Sequence, residues 1–84
     1  MKFTVVMSPI AEHQLAEIWV QASDRASVSQ AFDRIETLLK RDPKSLGRLH
    51  PGGWRVVTLG PLAVTFQVSA DDRMVKVMSV FFRS

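Results

Sequence analysis

Between Leu62 and Val68 the chain alternates strictly: Leu62, Val64, Phe66 and Val68 are separated by Ala63, Thr65 and Gln67. Side chains of a strand point to opposite faces with a period of two, so this run predicts a strand with one strongly apolar face. Similar runs flank it. Gly53–Leu59 precedes it across a Gly60-Pro61 turn, and Met74–Phe82 follows across the polar turn Ser69–Arg73. Three β-rich runs joined by short turn signals predict an antiparallel meander. The last run becomes apolar on both sides after Lys76, as a strand covered on both faces does. Such a sheet face has to be buried against another layer.

The first half of the chain supplies that layer. Lys2–Met7 is a β-type run in which Phe3, Val5 and Met7 alternate. Ser8-Pro9 combines an N-cap residue with proline at the first helical position. Ala11, Leu15, Ile18, Trp19 and Ala22 then fall on one helical face, which assigns Trp19 to the core. Ser23–Ala26 breaks the pattern. Ser27 is placed as the cap of a second helix, whose stripe is Val28, Ala31, Phe32, Ile35, Leu38 and Leu39. Lys40 and Arg41 suit its C-terminal dipole, and Pro43 stops it at or before Asp42. Residues 43–53 read as a loop with two prolines, three glycines, Lys44, Arg48 and no acid. The expected fold class is α+β in the order β-α-α-β-β-β. An antiparallel-rich sheet carries a helical hairpin on one face, and the first strand joins the same sheet.

An 84-residue chain is one domain, taken as residues 1–84, with room for a single core at 46% hydrophobic residues. Cysteine is absent, which excludes disulfides and thiolate metal sites. No apolar run approaches the roughly 20 residues of a membrane span. Met1–Val6 is too short and strand-like for a signal peptide, so a cytoplasmic protein is expected. Charge divides unevenly. Residues 1–42 hold five Lys/Arg against six Asp/Glu, and residues 43–84 hold six against two. A basic second half favours an anionic partner, either nucleic acid or an acidic protein segment.

Known catalytic patterns are poorly represented. His13 and His50 are far apart, and no serine lies in a nucleophile-elbow pattern. His13 and Glu17, one helical turn apart, are too few for a metal site. Gly52-Gly53 lacks the Lys-Ser/Thr of a phosphate-binding loop and reads as a tight entry to the next strand. No metal or cofactor is expected. Trp54, beside the basic loop, either closes the core or stacks on a partner. The best functional constellation is Arg48, His50, Arg55 and Arg83, with Lys44 and Lys76. In an up-down-up meander Arg55 and Arg83 lie at opposite ends, which predicts an extended basic surface rather than a compact catalytic cluster.

These residues, in this order, resemble the RelE/ParE superfamily of toxins from bacterial type II toxin–antitoxin systems. The resemblance runs from Phe3–Pro9 through Ala11–Trp19, Ala31–Leu39 and the Asp42-Pro43…Gly47 loop. It continues through Gly53-Trp54-Arg55, Val64–Val68 and Arg73–Val77 to the closing Arg83. It implies a small α+β toxin that inhibits growth, stabilises plasmids and is neutralised by a cognate antitoxin. RelE-like members cut mRNA on the ribosome without metal; ParE-like members inhibit DNA gyrase. Arg55 and Arg83 match basic positions of the family. If the chain is a nuclease, the resemblance makes Arg55, Arg83 and His50 the catalytic candidates. For target or nucleic-acid binding the candidates are Lys44, Arg48, Trp54, Arg55, Lys76 and Arg83. Ala63 stands where the nuclease branch has an arginine, the chain holds no tyrosine, and no catalytic segment follows Arg83. The resemblance is therefore closer to the ParE-like branch. A ribosome-dependent nuclease is the first alternative, and a non-toxic interaction module the second. Expected partners are an antitoxin, bound through the helical hairpin or a sheet edge, gyrase or the ribosome with mRNA, and a second copy of the chain.

Overall fold

A computed structural model describes residues 2–83. Strand β1 (Thr4–Met7) is followed by helices α1 (Pro9–Gln21) and α2 (Arg25–Arg41), then β2 (Arg48–Leu49), β3 (Arg55–Leu59), β4 (Leu62–Ser69) and β5 (Met74–Phe82). The strands form one sheet in the order β1-β5-β4-β3-β2. The meander β3-β4-β5 is antiparallel as expected, and β1 joins it parallel to β5, so the sheet is mixed. Residues 43–53 are not wholly loop. Arg48 and Leu49 pair with Val56 and Arg55 and add a fifth, two-residue strand.

The core lies between the helices and one sheet face. Leu62, Val64 and Phe66 of β4 are fully buried, with Val75, Val77 and Val80 of β5 beside them. Val28, Ile35 and Leu39 of α2 complete the layer. Each such side chain contributes on the order of 1.5–3 kcal/mol by leaving water. β4 alternates because both its neighbours are strands and only one of its faces meets helices.

Ser8 caps α1 as its position in the sequence predicts: its Oγ accepts from the Ala11 N–H at 3.0 Å. The same hydroxyl donates to the Met78 carbonyl at 3.0 Å, and the Ser8 N–H donates to the Val77 carbonyl at 2.9 Å. These bonds meet β5 at a bulge. Thr65 pairs with Ser79 and Phe66 with Val77, which leaves Met78 without a partner on β4. Beyond Met7 no strand covers that side of β5. There α1 takes over, and Gln14 Oε1 accepts the Val80 N–H at 2.8 Å.

Two helical expectations are corrected. α2 begins at Arg25, capped by Asp24 rather than Ser27. The Asp24 carboxylate accepts from the Ser27 N–H at 3.1 Å and the Ser27 hydroxyl at 2.6 Å, and the latter bond foremost holds the carboxyl below its ordinary pKa. Trp19 is not core but 43% exposed. At 100° per residue it stands about 80° from Ala11, at the margin of the stripe that faces β5. Its ring instead supports the Arg25 guanidinium, 4.7 Å from the ring centre. Arg25 donates at 3.0 Å each to the carbonyls of Trp19 and Val20, closing the end of α1, which has no basic residue in its own last turn.

Candidate functional site

The register sorts the candidate residues by face. On β4, Leu62, Val64 and Phe66 face the helices, so Ala63, Thr65 and Gln67 face the open side. Directly paired residues share a face. Val56, opposite Thr65, is therefore on the open side, and so is Arg48, opposite Val56. Lys76, opposite Gln67, and Phe81, opposite Ala63, lie there too. By alternation Trp54 belongs to this face, one strand from Gln67. Arg55, opposite Phe66 and Leu49, is on the helix side.

The β2–β3 hairpin is tightly built. The His50 N–H donates to the Trp54 carbonyl at 2.8 Å, and the Gly53 N–H to the His50 carbonyl at 2.9 Å. The two rings stack in parallel, with centroids 4.1 Å apart and planes inclined by 4°. Gly47 makes the hairpin possible. Its φ is +73°, and a Cβ there would stand 2.1 Å from the Val56 carbonyl oxygen. Only glycine lets the chain approach β3 this closely and then place Arg48 in register.

The open face thus gathers Arg48, the His50–Trp54 stack and Lys76. Arg48 and Lys76 are separated by three strand spacings, about 15 Å. Among the described residues neither they, Lys44, Arg55 nor Arg83 takes part in an ion pair. The hydroxyls of Thr65 and Ser79 hydrogen-bond to one another across the middle of this face. Ala63 lies between Thr58 and Phe81. Arg83 follows β5, and its N–H donates to the Pro61 carbonyl at 2.6 Å. That places it five residues along β4 from the level of Arg55, about 17 Å. Lys44 is exposed in the turn after α2. Arg55, Arg83 and His50 are therefore not brought together, and the basic groups form an extended surface.

His13 and Glu17 approach to 3.4 Å, both well exposed, and no cluster of three or more metal-ligating acids or imidazoles occurs among the described residues. Among the described residues no helix is long and apolar enough to cross a membrane. Sequence reasoning missed the surface made by Trp19. It lines an open groove of about 410 Å³ between α1 and α2, with Met7, Leu15, Val28 and Phe32. The sequence signal was present: a tryptophan at the edge of an apolar stripe, with Val20 next to it on the outer side.

No protein-family model and no curated protein matches the chain by sequence. Solved structures do match over its length. The toxin–antitoxin complex RelBE2 of Mycobacterium tuberculosis contains a chain 16% identical, overlaid with a TM-score of 0.82 over 99% of this chain and 100% of that one. The chromosomal ParDE toxin–antitoxin system of P. aeruginosa gives 0.72 at 16% identity, over 99% and 98%. TrmO of P. aeruginosa gives 0.62 at 24% identity, over 94% of this chain but 33% of that one. At these identities the likeness is one of fold. The chain has the fold of the RelE/ParE toxins, as the order of its sequence elements implied.

Proposed function

We propose that this chain is the toxin of a bacterial type II toxin–antitoxin pair. On this reading it acts in the cytoplasm by binding a target of the gyrase type, and a cognate antitoxin holds it inactive. The full-length overlay on chains from both RelBE2 and ParDE supports a toxin. The dispersal of the candidate nuclease groups carries the choice of binding over cutting. Arg55 faces the helices, Arg83 lies about 17 Å from its level, and the His50 ring is stacked on Trp54. In-line cleavage needs an acid, a base and charge-stabilising donors around one phosphate. Lys44, Arg48, Trp54, Arg55, Lys76 and Arg83 are the proposed target-contacting residues, and a homodimer is compatible with the free sheet edges.

A second reading, a metal-independent ribosome-dependent ribonuclease, is favoured by the higher TM-score against the RelBE2 chain and by Arg48 and Lys76 on one face. Inducible expression in a bacterial host separates the two. Growth arrest with loss of DNA supercoiling and intact mRNA is the expected result. Codon-specific cuts in ribosome-bound mRNA would replace the first reading by the second. Normal growth with soluble, antitoxin-free protein would leave a non-toxic interaction module. Arg83→Ala should weaken whichever activity appears while leaving the melting temperature unchanged.

A further inference from the structure

An edge strand displays a row of unpaired N–H and C=O groups, and natural sheets close or blunt such rows. Strand β1 closes the outer edge of β5 only as far as Val77. The next outward groups are taken by α1 and its cap. The Ser8 N–H donates to the Val77 carbonyl, the Ser8 hydroxyl to the Met78 carbonyl, and the Val80 N–H to Gln14 Oε1 at 2.8 Å. One carboxamide thus stands in for the strand that would continue β1. Beyond it the edge is open. The Arg83 N–H donates inward to the Pro61 carbonyl. Alternation therefore turns the N–H and C=O of Phe82 outward, on the same side as the Val80 N–H. No turn or side chain among the described residues bonds to them. Phe81 and Phe82 are 50% and 53% exposed. Between α1 and this end of β5 lies a groove of about 360 Å³, with Gln14 and Ile18 on the helix and Phe82 on the strand. The space beside the edge is not filled by α1.

We propose that Gln14 is an autoinhibitory contact: by holding the Val80 N–H it keeps the end of β5 from pairing with β5 of a second copy of this chain. The edge is complementary to itself. An antiparallel pair centred on Phe82 exchanges two hydrogen bonds between the Phe82 backbone groups of the two copies. Directly paired residues share a face, so the same register sets Phe81 of each copy beside Arg83 of the other. A guanidinium and an aromatic ring attract there. The contact forms twice, because a two-fold interface uses one patch on both subunits. The next hydrogen bond outward from that centre needs the Val80 N–H, the donor that Gln14 occupies. With Gln14 in place the ladder stops at one residue pair, too short to hold two chains together. With the acceptor removed, the Val80 N–H is left in a buried residue without a partner, which favours any strand that can accept from it. The ladder then lengthens on both sides of the axis. The contact belongs to the fold and does not depend on the toxin reading.

The test is sedimentation equilibrium of the full chain over a hundredfold range of concentration, with amide NMR to check that each variant is folded. The unaltered protein should stay monomeric, with a Val80 amide that exchanges slowly and a Phe82 amide that exchanges fast. Gln14→Leu keeps the bulk of the side chain and removes the acceptor. It should raise the association constant at least tenfold and protect the Phe82 amide at high concentration. Gln14→Asn, one methylene too short to reach Val80, should do the same, and it serves where the leucine variant fails to fold. Gln14→Glu keeps an acceptor at the same reach and should stay monomeric. Phe82→Pro added to Gln14→Leu removes the outward donor without touching the bonds to β4, and should abolish association. Folded Gln14→Leu or Gln14→Asn that stays monomeric over the whole range would overturn the proposal. So would association of the unaltered protein as strong as that of these variants, or association that survives Phe82→Pro. Failure of both Gln14→Leu and Gln14→Asn to fold would overturn it too, since Gln14 would then act only in holding the fold.

Discussion

Replacing Gly47 by alanine tests whether the β2–β3 hairpin is held by a close backbone approach. Two costs arise. An L-residue in the left-handed region at φ +73° is disfavoured, by roughly 1–2 kcal/mol. The new Cβ would also meet the Val56 carbonyl oxygen at 2.1 Å and its carbon at 2.8 Å. Both are backbone atoms of a paired strand, so β2 must lift away. Overpacking of this kind costs about 1–3 kcal/mol. Gly53 is a matched control. Its φ is +88°, yet a Cβ there meets nothing within 4 Å. Gly53→Ala should therefore cost only the conformational term, about 1–2 kcal/mol. Gly47→Ala should cost at least about 1 kcal/mol more. In urea, with a slope of roughly 1 kcal/mol/M for a chain of this size, that difference displaces the midpoint by about 1 M. The Trp54 indole proton signal should also move in Gly47→Ala, because the His50 stack depends on the same hairpin. Equal midpoints for the two variants, with the stack undisturbed in both, would refute the role given to Gly47.

Other parts of the structure make further predictions. Ser8→Ala should destabilise by about 1–3 kcal/mol, since it removes an N-cap and leaves the Met78 carbonyl without a donor; Ser8→Asp should restore only the capping share in the same urea titration. Ile35→Ala, at a fully buried position of α2, should cost about 2–5 kcal/mol, read as a lower melting temperature by calorimetry. The Asp24 carboxyl is held below its ordinary pKa of 3.8 by its bonds to Ser27. Its contribution is therefore present above that pH and lost as pH falls through the depressed folded value. Asp24→Asn keeps a capping oxygen without the titration, so circular dichroism from pH 5 to 2 should show a flatter acid limb for that variant.

Legibility in the sequence followed the range of the interaction involved. The Ser8-Pro9 start, the β4 alternation and the end of α2 at Pro43 rest on local preferences, and each was found where the sequence put it. The start of α2 was misplaced because apolar periodicity begins only at Val28. Its first turn, Arg25 to Ser27, is polar, and two good capping residues compete there. β2 could not be foreseen. Two residues have no period, and its existence depends on Gly47 meeting Val56 across the chain. The split of the basic residues between faces was readable only with the register. One position along a strand reverses a side chain, so Trp54 and Arg55, adjacent in sequence, belong to opposite surfaces.

The register also separates a packed side of the sheet from an open one. Every buried position on β4 points to the helices, and on the open face Val56, Ala63, Thr65 and Ser79 are only half-covered. Substitutions on that face carry little stability cost, since surface changes away from caps and cores usually stay within about 0.5 kcal/mol. The face is free to change chemistry while the packed side keeps the topology. At Ala63 a longer cationic side chain would extend from the centre of the sheet, between Thr58 and Phe81, toward the side that already holds Arg48 and Lys76. In this chain that centre is small, and an exposed phenylalanine lies beside it. Whether activity follows the packed side or the open side can be measured directly. Ala63→Arg should leave the urea midpoint within about 0.5 M, given that surface tolerance and a slope near 1 kcal/mol/M, and should change which macromolecule the protein retains. A collapse of the fold would show that Ala63 is packed where the register places it in the open.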